Sequence, residues 1–400
     1  MTADPVLSAC HQEIERLQCE AYAATGRAPR RDSADQSFRD HALAEGLLDD
    51  MLARRATWLS PARGAGLRAE VLESWARAAQ VPLPTPLEDR WAYVGMLPLV
   101  DDIEGTLPGL GLPSLPRPAF GTLPTGDINA VCRPVPGTHR HIILFETDLV
   151  PFLYRISQVV ARALPASIAA DKSISFSCSV PGLRKSVARD QRVLDRFHEI
   201  VRCFVVGETP PLPDSHFKEE PHRTLAGILS NAMDVFAMGH EYGHLLLEQG
   251  IAPGASIAVS GAPQAVLEIP QGTWQDELGA DWHAFELTAG SQRKHGVSWT
   301  LGIVAIDCFL RCAEIVEGAF ALVKGRGRWH LDSPHPPVAL RRGQLKAWLQ
   351  FRAQKQAGDT VNGLTECLAA ALEIMKADTY RRLDREFVGR LGLRDVLFGL

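Results

Sequence analysis

The strongest constraint in this sequence is a four-residue spacing that occurs in two separate segments. The first segment is Phe236-Ala237-Met238-Gly239-His240-Glu241-Tyr242-Gly243-His244. Side chains four apart on a helix share a face, so both imidazoles can reach one ion. Glu241 projects beside them, where it can take a proton from an attacking water. Ile228, Val235, Phe236, Leu245 and Leu247 flank the motif as they would on a buried helix, and Gly250 supplies a C-terminal stop. The second segment, Glu277-Leu278-Gly279-Ala280-Asp281, puts two carboxylates one turn apart. Thr273-Trp274-Gln275-Asp276 reads as a capping box that opens its helix. A catalytic zinc site takes three protein ligands and keeps a fourth position open, and two histidines with one glutamate form one of the known sets. His240, His244 and Glu277 are therefore the candidate ligands of one Zn2+ per chain, with Glu241 as general base. Asp281 is spaced to accept a hydrogen bond from a ligand imidazole, which would fix its tautomer and raise its basicity.

The rest of the chain frames this centre. Four hundred residues exceed one compact core of ordinary size, so a large catalytic domain with a helical extension, or two domains, is expected. Residues 6–80 read as three helices: Ile14, Leu17 and Ala21 stripe the first, Leu43, Leu47, Leu48 and Met51 the second. The third follows Ser60-Pro61 and carries Leu67, Val71, Leu72 and Trp75. Leu107 to Pro124 is dense in Pro and Gly and reads as a linker or wrapping loop. A turn at Pro136-Gly137 precedes a strand over His141–Phe145, and helices are expected over Val150–Leu164 and Val187–Val206. From Thr224 onward the chain reads as helical, with loops at 250–272 and 325–340. The expected fold is mainly α with a small β-sheet (α+β), divided into a helical N-terminal region over 1–115 and a catalytic domain over 116–400.

Composition removes several classes. With a net charge of -5 and a pI near 6.2, no basic excess argues for nucleic acid or anionic membrane as a partner. The N-terminus lacks the pattern of a signal peptide. The apolar stretch Leu301 to Val323 carries Asp307, Arg311, Glu314 and Glu317, so it reads as a buried helix and no transmembrane segment is expected. Eight cysteines are scattered without a CxxC pair, and Cys308 and Cys312 read as buried thiols of a reduced, cytoplasmic protein.

The sequence His240-Glu241-Tyr242-Gly243-His244 followed by Glu277-Leu278-Gly279-Ala280-Asp281 resembles the gluzincin metallopeptidase pattern, H-E-x-x-H then E-x-x-A-D. Ser333-Pro334-His335-Pro336-Pro337, with Arg341 beyond it, is similar to the H-P-P…R element of CaaX-prenyl-protease and HtpX-type peptidases. The resemblance implies a gluzincin-like core acting on a peptide or protein substrate, with His335 stabilising the oxyanion and Arg341 as a positioning residue. It also implies that Asn129-Ala130 and the strand His141–Phe145 receive substrate as an added strand. The membrane helices typical of those relatives are missing here, and the spacer from His244 to Glu277 is apolar and rich in Gly and Pro.

Other candidates carry less. His283 falls off the ligand face, Tyr242 points away from the metal on helical geometry, and His139 and His141 read as ordinary hydrogen-bonded histidines. Ser173 to Ser179 lacks a nucleophile elbow and reads as a loop. Tyr154 and Tyr380 have no spacing that ties them to the centre. Two rival functions share the ligands: a biosynthetic enzyme acting on a small amide or tailored peptide, with Fe(II) oxygenase chemistry as its extreme, and a non-catalytic metal-binding regulator. Intact Glu241 speaks against the regulator.

Overall fold

A computed structural model describes residues 4–27, 80–126, 128, 130–168, 174–176, 179–208, 210, 217, 222–252, 271–324, 336–352 and 355–388. The expected helices around 43–51 and 60–75 lie outside these residues. The described chain is mainly helical, with one three-stranded and one two-stranded sheet. It falls into two compact units made of interleaved stretches: Met1–Pro151, Asp234–Ser256 and Gly279–Trp299 form the first, and Phe152–Met233, Ile257–Leu278 and Thr300–Leu400 the second.

In the first unit, α1 (Pro5–Thr25) starts where the Asp4 side chain accepts from Val6 N and stops at Gly26, whose φ of 65° suits glycine. The sheet has the order β1 (Ala119–Leu123), β3 (His141–Glu146), β2 (Ala130–Pro134), with β1 parallel and β2 antiparallel to β3. The central strand, His-Ile-Ile-Leu-Phe-Glu, is buried beyond its first residue, which is why it carries an unbroken apolar run. Cys10 and Ile14 of α1 pack on Val135, Ile142 and Leu144. Gln18 of the same helix is buried and donates to Thr122 O at 2.9 Å. The segment expected to be a linker therefore ends in β1: Phe120 to Thr122 are buried between α1 and β3, and tertiary packing outweighs the local Pro and Gly signal. Among the described residues, helix α2 (Arg90–Thr106) and parts of two long helices described below also belong to this unit.

In the second unit, α3 (Leu149–Ala163) leads into the strand pair β4 (Ala166–Ile168) and β5 (Ile174–Phe176). So Ser173–Ser179, expected as a loop, includes a short strand, and Ser179 caps the next helix. Periodicity predicts one helix over Val187–Val206, but two are present, α4 (Val180–Arg189) and α5 (Gln191–Val206). Asp190 makes the break: its side chain accepts from Val193 N and starts α5 afresh. The long helices α6 (His222–Glu248), α7 (Gln271–Lys294), α8 (Trp299–Lys324), α9 (Val338–Arg352) and α10 (Lys355–Leu383) follow. Phe152, Phe204 and Phe320 form an aromatic cluster, and α10 lies on α4 and α5. Asp307, the buried charge in the apolar α8, accepts from Arg311 and Arg342 at 2.7 Å each, which offsets its desolvation. Cys308 and Cys312 are buried, and their mutual hydrogen bond with burial pushes the Cys308 thiol well up. Among the described residues no helix is long and apolar enough to cross a membrane.

Candidate metal centre

Two helices build the centre, and small residues bring them together. Helix α6 is buried along most of its length, and Phe236 stacks on Phe285 of α7 with ring centres 5.8 Å apart. Gly239 faces the Cα of Ala284, where a Cβ would sit 3.5 Å away. At Gly243 the approach is closer still: a Cβ would lie 2.6 Å from Ala280 O and 2.7 Å from its Cα. Only glycine fits there. The glycine inside one motif and the alanine inside the other thus fix the crossing that sets the histidines against the carboxylates.

At that crossing His240, His244 and Glu277 offer ligand atoms that all lie within 4.8 Å of one another. His240 Nδ1 is 2.9 Å from Asp281 Oδ1, and Asp281 is fully buried. A carboxylate accepts, so Nδ1 carries the hydrogen and Nε2 is the nitrogen of His240 that bears the lone pair. His244 Nε2 lies 3.2 Å from His240 Nε2, with the rings at 89°. Two nitrogens bound 2.0–2.1 Å from one tetrahedral ion would stand about 3.3 Å apart. The donor set, its spacing and the oriented imidazole fit a metal ion, and the group can hold one.

Glu241, 3% exposed, follows His240 on the same helix. Cys132 on β2 lies near enough for the charges of Glu241 and Glu248 to act on it; burial first, then these charges, hold its thiol well above the ordinary range. His141 Nε2, at the start of β3, is 2.7 Å from Glu248 Oε2. The second half of α6 is therefore set beside the sheet.

The remaining candidates fall into place individually. Tyr242 is buried and donates to Glu104 Oε1 at 2.8 Å, and Arg117 donates to Glu104 Oε2 at 3.0 Å. Burial, then Glu104, raises the Tyr242 phenol far above its usual value, so it serves packing as the helical geometry predicts. His283 is buried, its Nε2 3.0 Å from Ile251 O, and burial lowers its pKa. Helix α7 is already formed at Gln271, so Thr273 lies inside its first turn and not at its cap. Arg341 sits half-buried in the first turn of α9. His335 and Asn129 lie outside the described residues, while Ala130 opens β2. Sequence reasoning missed Cys132 and Glu104. Glu104 is 138 positions from Tyr242, a separation no local pattern reports, whereas the small residues inside both motifs could have announced the close crossing.

In comparisons with known proteins, no family model, no curated protein and no solved structure matches this chain.

Proposed function

We propose that this chain is a zinc-dependent hydrolase of peptide or amide bonds, a gluzincin-like metallopeptidase. The observation that carries the reading is the trio of buried His240, half-buried His244 and buried Glu277, with Asp281 bound to His240 and Glu241 next in sequence. A structural metal site has no use for Glu241, whereas a hydrolase requires a base beside its ligands.

His240, His244 and Glu277 would hold the ion. Zinc, when bound, supplies Lewis acidity toward the scissile carbonyl and makes water acidic enough to ionise near neutral pH. Glu241 accepts the proton from the attacking water and returns it to the leaving amine. Its burial keeps this transfer away from bulk solvent. Asp281 keeps His240 in the tautomer whose Nε2 can bind. From the family resemblance, His335 stabilises the oxyanion and Arg341 positions the substrate. The substrate is a peptide or protein segment: β3, the strand expected to receive it, is paired on both sides and cannot take a further strand, whereas β2 is an edge of the sheet and its Cys132 feels the charge of Glu241, so β2 is where an added strand would run. The acidic composition and scattered cysteines support a reduced, cytoplasmic setting.

Glu241→Gln tests the reading. It keeps shape and hydrogen bonding but removes the base, so zinc content should stay at the wild-type level while cleavage of a peptide library falls by roughly two or more orders of magnitude. Equal turnover in wild type and variant would rule out Glu241 as the base.

A further inference from the structure

We infer that Gln344 on α9 is a positioning residue for the metal centre, pinning the turn of α7 that carries Glu277. This rests on the metal reading above. Gln344 is 8% exposed, and its Nε2 donates to the backbone carbonyl of Leu278, the residue that follows Glu277. Leu278 lies inside a continuous helix, where its carbonyl is already an acceptor for the turn that follows. The side-chain bond is therefore superfluous for forming the helix, and its effect is on where that turn is held. Reversing the amide would set oxygen against oxygen, so Leu278 also dictates which end of the Gln344 side chain donates. The Oε1 end finds no hydrogen-bond partner among the described residues, so within them the amide is held by Leu278 alone.

The pin has a rigid base. Leu345, Trp348 and Leu349 bury the face of α9 that Gln344 shares. The neighbouring Arg342 donates to the buried Asp307 at 2.7 Å, tying α9 to α8. Glu277 needs such support because it lies in the second turn of α7, near an end where helices fray, and a metal ligand must be held to about half an ångström. His240 receives the equivalent support from Asp281 through its side chain, while Glu277 receives it through the backbone beside it.

The test uses the metal-stripped full chain titrated with zinc against a chromophoric chelator. Gln344→Met keeps length and volume but removes the donor, and Gln344→Glu keeps the shape while turning both ends into acceptors. Both should raise the zinc Kd about tenfold or more, the size of effect that outer-shell partners have on metal affinity. Leu368→Ala, a cavity at a fully buried position of α10, lowers stability without removing a metal-site residue and should leave the Kd within about twofold. Wild-type Kd in both Gln344 variants would overturn the inference, as would a loss of affinity that tracks stability equally in Leu368→Ala. A wild-type chain that binds no zinc would instead remove the metal reading on which the inference stands.

Discussion

Gly243→Ala tests the crossing that assembles the centre. The added methyl would lie 2.6 Å from Ala280 O and 2.7 Å from Ala280 Cα, about 0.8 and 0.7 Å inside the 3.4 Å where ordinary contact begins. Both atoms are backbone, so no rotamer relieves the clash and α6 and α7 must separate by a comparable distance. Overpacking of this kind costs about 1–3 kcal/mol, and backbone against backbone belongs at the upper end. Against this, alanine gains about 1 kcal/mol over glycine in a helix interior. The net expectation is a loss of about 1–2 kcal/mol. The same displacement stretches the 2.9 Å bond between His240 and Asp281 beyond hydrogen-bonding range, so zinc affinity should fall together with stability. Gly363→Ala is the control: Gly363 is an exposed glycine in α10 with nothing within 4 Å of the added methyl, so the substitution should stabilise by up to about 1 kcal/mol and leave zinc binding alone. Urea midpoints of the metal-free variants and chelator competition measure the two effects. Should Gly243→Ala gain stability as Gly363→Ala does, with unchanged zinc affinity, the close crossing is not what holds the site.

Two further outcomes follow from buried carboxylates. Asp281→Asn can no longer stabilise the bound imidazole with a charge, and chelator competition should read a zinc affinity lower by about ten- to a hundredfold. Glu88 is buried, accepts from Thr122 N and Oγ1, and burial pushes its pKa to about 7. A carboxyl raised in the fold contributes stability that is complete below its unfolded pKa and lost as pH rises through the folded one. Glu88→Gln, neutral at every pH, should therefore gain Tm relative to wild type between about pH 4.5 and 7, and a constant Tm difference across that window would refute the assignment.

The centre was legible because its information is local. Helical spacing alone brings His240 to His244 and Glu277 to Asp281, and the structure joins the two pairs at 2.9 Å. The mainly helical fold with a small sheet was legible for the same reason. What escaped depends on distant partners. β1 forms within a Pro- and Gly-rich segment because β3 and α1 cover it. The break at Asp190 rests on one side-chain cap that periodicity does not weigh against the apolar stripe. Gln344 and Leu278 are 66 positions apart, and a glutamine in a helix announces no partner.

The central claim is that Glu277 completes a zinc site with His240 and His244, and elemental analysis of the purified full chain tests it most directly. The account predicts about one zinc per chain in the wild type and in Asp276→Ala, which alters the exposed carboxylate next to Glu277, with zinc sharply reduced in Glu277→Ala. Equal zinc in all three proteins, or iron in place of zinc in the wild type, would contradict it.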